Sequence, residues 1–365
     1  MSERLRNTLR EERERRGWSQ TRMAEAAGIT RQSYAAIEAG GAVPSTEVAL
    51  RLAHALGRPV EDLFRIPDDR PRLRRASWAG ATPAWPGGRV RLTRIAGRWV
   101  AHPVDEAHRP SAVADGVVEG IDGDDVAIRP LPAAPPTAAL AVVGCDPAFG
   151  IVAERLRRER GIEVAWSARG SRGALTALAR GQAHVAGVHL RDDATGEDNT
   201  AWVRSLVPFP CTRIRFAVWQ QGLLLRSDRR RSITRVADLA RRGVRIVNRE
   251  EGSGSRMLLD GELRAAGIEA SAVAGYRTSA KSHHAVAEAV AAGVADTGVA
   301  IRAVAVACGL DFLPLREEPY ELVVPDHFLD LPAVGALLDA LRHAATQRQI
   351  EALQGYDVRG IGLPA

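Results

Sequence analysis

The fold of the N-terminal part is decided by residues 19–57, which read SQTRMAEAAGITRQSYAAIEAGGAVPSTEVALRLAHALG. Apolar side chains recur there at helical spacing, and capping residues and glycines separate the runs. Thr30 is predicted to cap one helix, while Gly28 and Gly57 are predicted to end two others. With similar runs on either side, the pattern predicts an all-α domain over residues 1–66.

Four positions in this stretch have the residue types that a helix-turn-helix requires. Gln20 opens the second helix, Ala24 is small enough for close helix packing, Gly28 forms the turn and Ile29 fills the core behind it. In this order the residues resemble the Xre and phage-repressor family over roughly residues 4–65. The alternative is a surface helical bundle with no role in DNA binding.

The resemblance implies that the third helix enters the major groove of double-stranded DNA. Arginine bonds guanine and glutamine bonds adenine in a bidentate manner, and polar groups at a helix start contact phosphate. The implied DNA-binding residues are Gln20, Thr21, Thr30, Arg31, Gln32, Ser33 and Ala35. Residues 1–70 contain 12 Arg against 11 Asp and Glu, so we expect binding to depend on a homodimer.

Composition fits a cytoplasmic protein with a polyanionic partner but does not require one. The 365 residues have a net charge of +6, and the N-terminus lacks the apolar segment of a signal peptide. No apolar stretch is long enough for a membrane span. Cys145, Cys211 and Cys308 are widely scattered, which suits a reducing compartment and shows no metal-binding spacing.

Residues 67–137 differ from both flanking regions. Proline is frequent at both ends, and between them short β-type runs alternate with turns that contain glycine and aspartate. The pattern predicts a small β-rich module between Pro-rich linkers. A disordered linker is the alternative.

Residues 138–365 alternate short apolar strands with helices. This alternation predicts a mostly parallel sheet covered on both faces. Two successive series of this kind predict an α/β domain of two lobes with a cleft between them. The whole chain is therefore predicted to be a multidomain protein, with the all-α domain, the β-rich module and this bilobal domain in order.

The loop NREEGSGSR at residues 248–256 has the features of an anion site. Its glycines allow a sharp turn, its serines supply hydroxyls, and Arg249 and Arg256 add positive charge near a helix start. We therefore expect this loop to hold a small oxyanion. The candidate ligand-binding residues are Asp146, Ser171, His189, Arg249, Ser253, Ser255, Arg256, Ser282, His283 and Asp296.

Several of these residues have a structural alternative. Asp146 and Ser282 are placed to cap helices, and His189 at a strand end is compatible with a purely structural histidine. Asp296 is compatible with orienting an arginine or capping a turn. The acidic residues at 192, 193 and 197 are predicted to form a solvated loop.

The second half of the chain resembles the periplasmic-binding-protein-like (type II) domain found fused to bacterial helix-turn-helix regulators and to some molybdenum-cofactor proteins. The resemblance covers about residues 140–356. The segments that carry the resemblance are AGVHLRDDATGEDN, WQQGLLL, VNREEGSGSRMLLD, SHHAVAEAVAAGVADTGVAI, LDFLPLREEPYELVVP and LQGYD. The serine-glycine loop is also similar to that of molybdate- and tungstate-binding proteins. The resemblance implies ligand capture, with molybdate or tungstate as the preferred effector.

Motifs of enzymes and metal sites are absent from the sequence. We find no nucleophile elbow, Walker loop, zinc-protease motif or Cys/His spacing, and the adjacent His283 and His284 diverge on a helix. We therefore expect a non-enzymatic regulator without a metal or resident cofactor. The alternative is an enzyme or carrier of molybdenum-cofactor metabolism with an accessory DNA-binding domain.

Overall fold

The computed structural model describes residues 5–65, 73–104, 113–131, 138–191, 196 and 198–365. Contacts divide the chain into two compact units, Met1–Arg72 and Leu73–Ala365. The acidic loop predicted at residues 192, 193 and 197 lies outside the described residues. In the described part, no helix is both long and apolar enough to cross a lipid bilayer.

The first unit is a five-helix bundle closed by one short strand pair, which confirms the predicted all-α domain. Its elements are β1 (Arg6–Asn7), α1 (Leu9–Arg15), α2 (Gln20–Ala27), α3 (Arg31–Glu38), α4 (Thr46–Leu56), α5 (Val60–Leu63) and β2 (Phe64–Arg65), with β1 and β2 antiparallel. Ser19, Thr30 and Ser45 cap α2, α3 and α4 by accepting backbone N–H groups. Gly28 and Gly57 end α2 and α4 in the left-handed conformation.

A small apolar core fixes the orientation of α3 within this unit. Met23, Tyr34 and Leu52 from three different helices are completely buried. Burying side chains of this size contributes about 1.5–3 kcal/mol each. Because Tyr34 and Ile37 face the core, the opposite side of α3 is left at the surface.

The second unit begins with a closed five-stranded barrel, so the described part of the β-rich module is folded rather than a disordered linker. The strands are β3 (Arg74–Trp78), β4 (Arg89–Ile95), β5 (Arg98–Pro103), β6 (Gly116–Asp122) and β7 (Asp125–Pro130). They close in the order β3-β5-β4-β6-β7. Val90, Ala101 and Ile128 fill the interior. The barrel belongs to the same compact unit as the bilobal domain.

The bilobal part follows the barrel. The elements of its first lobe are β8 (Leu140–Gly144), α6 (Phe149–Arg160), β9 (Val164–Ala168), α7 (Ser171–Ala179), β10 (Val185–Val188) and α8 (Asn199–Leu206). The rest of the domain contains β11 (Cys211–Leu225), β12 (Asn248–Arg249), α9 (Gly254–Ala265), β13 (Ser279–Ala280), α10 (His283–Ala291), β14 (Thr297–Ile301), α11 (Arg302–Ala307), β15 (Asp311–Pro325), α12 (Pro332–Arg342), α13 (Ala344–Glu351) and β16 (Tyr356–Asp357). Short 3₁₀ turns lie at Val236–Ala240, Ala270–Ala272 and Asp326–Phe328.

The main sheet is mixed, so the prediction of a mostly parallel sheet is wrong for its centre. The strand order is β14-β11-β15-β10-β8-β9, with β16 beside β11. The two long strands β11 and β15 pair antiparallel over 15 residues each. One end of this pair adjoins β10 and the other adjoins β14, so β11 and β15 connect the two lobes. The prediction of a parallel sheet rested on the alternation of short strands with helices. The sequence does not show that two long strands run through both lobes.

Acidification is expected to destabilise this unit through His184. Its Nδ1 accepts the backbone N–H of Ala141 in β8 at 3.0 Å, and burial lowers the pKa of the imidazole from 6.5 to about 4. Folding therefore favours the neutral ring. The stabilisation is complete above about pH 6.5 and is lost as the pH falls toward 4.

The substitution His184→Asn keeps an acceptor at this position and removes the titrating group. We expect it to flatten the fall in the free energy of unfolding between pH 6.5 and 4, measured by urea denaturation. An identical slope for wild type and His184→Asn would show that His184 does not contribute.

Candidate functional site

The first candidate site is the exposed N-terminal edge of α3. Arg31 and Gln32 are exposed there. Thr30 and Ser33 are also exposed but are engaged in the helix cap, since Thr30 Oγ1 accepts the Ser33 N–H at 3.1 Å and lies 2.8 Å from Ser33 Oγ. Ala35 is half-buried. Long polar side chains at a helix edge can reach base edges in a major groove, and Arg31 and Gln32 are the exposed residues of this edge that have such side chains.

A buried carboxylate holds α2 and α3 in register behind this edge. Glu38 accepts hydrogen bonds from Arg13 Nε at 2.7 Å, Gln20 Nε2 at 2.6 Å and the Tyr34 hydroxyl at 3.1 Å. Burial alone raises the pKa of Glu38, but these three donors outweigh it and hold the pKa below its usual value. Gln20 therefore orients the helices and retains one amide hydrogen for a phosphate. Thr21, one position further on, is exposed.

The second candidate site is a buried cluster where the two lobes meet. Cys145 follows β8, His189 follows β10 and His283 opens α10. One donor atom from each of these side chains lies within 4.8 Å of the other two. All three residues are buried. The scattered positions of Cys145, His189 and His283 in the chain hid this arrangement from the sequence, in which we found no metal-binding spacing.

His189 lies at the centre of the cluster. Its Nδ1 is 3.1 Å from the Glu318 carboxylate, its backbone N–H donates to Ser171 Oγ at 3.0 Å, and its ring meets Trp219 edge-on. Burial by itself lowers the pKa of the His189 imidazole. The neighbouring Cys145 and Glu318 have a larger opposite effect, and together they raise the pKa to about 9. Ser171 is therefore a structural partner of His189.

Asp146 is completely buried beside Cys145. It accepts the Ala148 N–H at 2.7 Å, which supports the start of α6, and the Tyr356 hydroxyl at 2.7 Å. Burial raises the pKa of this carboxyl to about 7, against the effect of both hydrogen bonds. Its second oxygen has no hydrogen-bond partner among the described residues. Asp146 therefore stabilises the turn ahead of α6, whose N-cap residue is Ala148, and one of its oxygens is left over.

The loop before α9 closes onto the first lobe. Ser255 Oγ donates to Gln221 in β11, and Gln221 donates to Glu318 in β15. Gly252 has a positive φ of 80°, and its carbonyl accepts the Arg172 N–H at 3.2 Å. A side chain at Gly254 would overlap the carbonyl oxygen of His189. Glycine at 254 therefore permits contact between the lobes.

Arg256, which is predicted to hold an anion, is engaged in an ion pair in this structure. Its Nε lies 3.3 Å from both carboxylate oxygens of Asp260, one helical turn along α9, and its guanidinium stacks on Tyr276 at 4.1 Å. Arg249 is also paired, with two bonds of 2.8 Å to Glu250. Its Nη1, however, is buried without a hydrogen-bond partner among the described residues. Within the described residues, the Nη1 of Arg249 is therefore a buried guanidinium nitrogen of this loop that remains unpaired.

The remaining predicted residues have structural roles. Ser253 Oγ accepts the Arg256 N–H at 3.3 Å and donates to the Glu250 carbonyl, which caps α9. Ser282 Oγ accepts the Ala285 N–H at 3.0 Å and caps α10. Asp296 accepts the Arg245 N–H and pairs with Arg229, each at 2.8 Å. These contacts fit the alternative that Asp296 orients an arginine, and its role as a ligand residue stays a prediction.

A cavity of about 640 Å³ opens beside the cluster. Three parts of the second unit line it, namely the barrel, the first lobe and the start of α10. The lining includes His102, Cys145, Trp166, Ser167, Ser282 and His283. The sequence analysis did not predict Cys145 as a site residue. Its position directly after a buried strand was the available signal, and the adjacent position led to the prediction of Asp146. The sequence analysis also missed Gln221 and Glu318, which lie inside strands and carry no local signal.

Family comparisons match both units. Residues 153–342 match the PBP superfamily domain, and residues 9–63 match the helix-turn-helix domain. The chain is 32% identical over 195 residues to the uncharacterized protein YvgK of Bacillus subtilis, covering 53% of this chain and 63% of that protein. The chain thus spans less than two thirds of the length of this relative.

A second relative and one solved structure are similar to separate parts of the chain. The uncharacterized HTH-type transcriptional regulator YgzD of Bacillus subtilis is 40% identical over 65 residues, which are 18% of this chain and 98% of that protein. The sulfate-binding protein SubI from Mycobacterium tuberculosis is 14% identical with a TM-score of 0.47, covering 60% of this chain and 86% of that one.

Gly254→Ala is expected to loosen the contact between the lobes. Overpacking of this kind costs about 1–3 kcal/mol, and the added methyl group would push α9 away from His189. In hydrogen-exchange experiments, the N–H groups of His189 and Arg172 should lose roughly tenfold or more of their protection. Gly335→Ala is the control, because its side chain would meet open space. Unchanged protection in Gly254→Ala would mean that the contact does not hold the lobes together.

Proposed function

Because the chain belongs to the PBP superfamily and carries an Xre-type helix-turn-helix domain, we propose that it is a one-component transcription regulator. In this proposal a small ligand binds between the lobes and changes how the helix-turn-helix units bind operator DNA. One observation supports this proposal. The same chain has exposed polar side chains at the N-terminal edge of α3 and a buried polar cluster between two lobes. Only a difference in affinity between open and closed states drives such a response.

DNA binding is proposed to involve a homodimer in the cytoplasm. Residues 1–70 are almost balanced in charge, so one copy gains little non-specific attraction to phosphate. Two copies on an inverted repeat double the contacts, with half-sites about one helical turn, or ~10 base pairs, apart. Function as a regulator requires no chemical turnover, and we propose that the protein is not an enzyme.

The effector is proposed to be a small oxyanion, with molybdate or tungstate as the first candidates. Arg249 Nη1 supports this, since a buried guanidinium N–H without a partner is costly and bonds strongly to an anionic oxygen. Arg249 is also close enough to His283 to contribute to lowering the pKa of that imidazole. Arg256 is excluded from the proposed site by its pairing with Asp260.

Substitutions on α3 test the DNA proposal. Arg31→Ala and Gln32→Ala should each weaken operator binding by roughly 1–3 kcal/mol and relax specificity at one base pair. Gel-shift titrations with the operator and single-base variants measure both effects. Arg10→Ala removes the same charge from the exposed face of α1 and should have a smaller effect that does not depend on sequence. Wild-type affinity and specificity in the Arg31/Gln32 double variant would contradict the assignment.

Calorimetry tests the effector proposal. Molybdate, tungstate, sulfate and phosphate are titrated into wild type and into two variants that each lose one arginine and one ion pair, Arg249→Met and Arg256→Met. We expect Arg249→Met to lose at least about tenfold in affinity, since a hydrogen bond to a charged group contributes about 1.5–3 kcal/mol. Arg256→Met should bind nearly as wild type does. If none of the four anions binds to folded wild type, the oxyanion proposal fails and the regulator proposal remains.

A further inference from the structure

We propose that Cys145, His189 and His283 bind one thiophilic divalent cation, of which Zn²⁺ is the representative. This inference goes beyond the regulator proposal and does not depend on it. One sulfur and two imidazole nitrogens form a ligand set typical of zinc. Three protein ligands leave a fourth position open for water or another ligand.

The spacing of the three donors suits one ion. Their donor atoms lie within 4.8 Å of one another. Tetrahedral zinc with bonds of about 2.0–2.3 Å requires donor separations of about 3.3–3.6 Å. Small rotations of three side chains, with movements of about 1 Å, close the difference.

The nitrogen donors have no competing hydrogen-bond partner within the described part of the chain, and His189, whose pKa is raised to about 9, would release its proton when it binds the cation. Both ring nitrogens of His283 and the Nε2 of His189 are buried without a hydrogen-bond partner among the described residues. Buried polar atoms are almost always hydrogen-bonded, and exceptions call for an explanation. A cation bound to His189 Nε2 and one nitrogen of His283 accounts for two of these three atoms at once.

The surroundings of His189 have the form that supports a metal ligand. Its Nδ1 contacts the Glu318 carboxylate at 3.1 Å, which aims Nε2 toward Cys145 and His283. Gln221 donates to Glu318, and Ser255 donates to Gln221. Metal-bound histidines usually have such a carboxylate on their second nitrogen, and its loss weakens metal binding.

The backbone of Cys145, which supplies the sulfur ligand, is also held in place. The Cys145 N–H donates to the Tyr320 hydroxyl at 3.3 Å. That hydroxyl fits because Gly144 and Gly187 have no side chains, and a Cβ at either position would overlap it. Cys145 is therefore held in place at the end of β8, and the cavity that it lines with His283 gives the cation a route to the site.

The three ligands come from both lobes. Cys145 and His189 follow β8 and β10 of the first lobe, whereas His283 opens α10, which packs on β14 at the other end of the β11–β15 pair. A cation bound to all three would therefore cross-link the lobes, and its binding would favour the closed arrangement. Metal binding and lobe closure are thus one event in this proposal.

Cobalt substitution of the full-length protein tests the site directly. Reduced, chelator-treated protein is titrated with Co²⁺ alone. We expect one equivalent to produce a thiolate-to-cobalt charge-transfer band and the intense visible bands of tetrahedral Co²⁺, and Zn²⁺ should abolish both. Cys145→Ser should abolish the charge-transfer band, and His283→Gln should lose the tetrahedral spectrum. Glu318→Gln should weaken Co²⁺ binding roughly 10–100-fold.

Matched controls separate this site from adventitious binding. Cys308→Ser and His54→Gln remove a thiol and an exposed imidazole outside the cluster and should leave the spectrum unchanged. Arg249→Met should keep the cobalt spectrum even if it loses oxyanion binding, so the two proposals can fail separately. Circular dichroism identifies variants that do not fold. Absence of a charge-transfer band in folded wild type, or its persistence in folded Cys145→Ser, would overturn the proposal.

Discussion

The antiparallel pairing of β11 and β15 is the constraint on which the second unit depends. The two strands run side by side for 15 residues each, and each contributes to both lobes. Their middle parts carry Trp219, Gln221, Glu318 and Tyr320, which form the floor of the buried cluster. The cluster thus lies on the one element that both lobes share. Movement of either lobe is therefore transmitted to the cluster through strands already held by backbone hydrogen bonds.

Small residues allow the polar groups to approach one another at the middle of β11 and β15. Gly187 leaves room for the Tyr320 hydroxyl, and Gly254 allows the start of α9 to meet the His189 carbonyl. Buried polar groups are tolerated only when their hydrogen bonds are satisfied. The chain from Ser255 through Gln221 to Glu318 and His189 meets that condition on one side of the cluster. On the other side, His283 has no hydrogen bond to its ring within the described residues.

Local features of the fold could be predicted from the sequence, because capping and turns depend on neighbouring residues. Thr30, Gly28 and the Pro-bounded β-rich segment are of this kind. The partner of Arg256 could also have been read from the sequence, since Asp260 follows it by four residues on a helix. Glu318 and Gln221 could not have been identified in this way. Their positions depend on the register of two strands about a hundred residues apart, with irregularities near Arg215 and Gln221, and no local pattern encodes that register.

The barrel has a consequence for the time course of any response. His102 in β5 and Val113 shortly before β6 form one wall of the cavity that Cys145 and His283 also line, so the route to the cluster is bounded by the closed sheet as well as by the lobes. A solute held behind such a wall leaves at a rate set by the opening of the enclosure rather than by its own contacts alone. Residence time and affinity then become separate properties. Changes in the barrel would alter how long a signal persists while leaving unchanged the concentration at which it is detected.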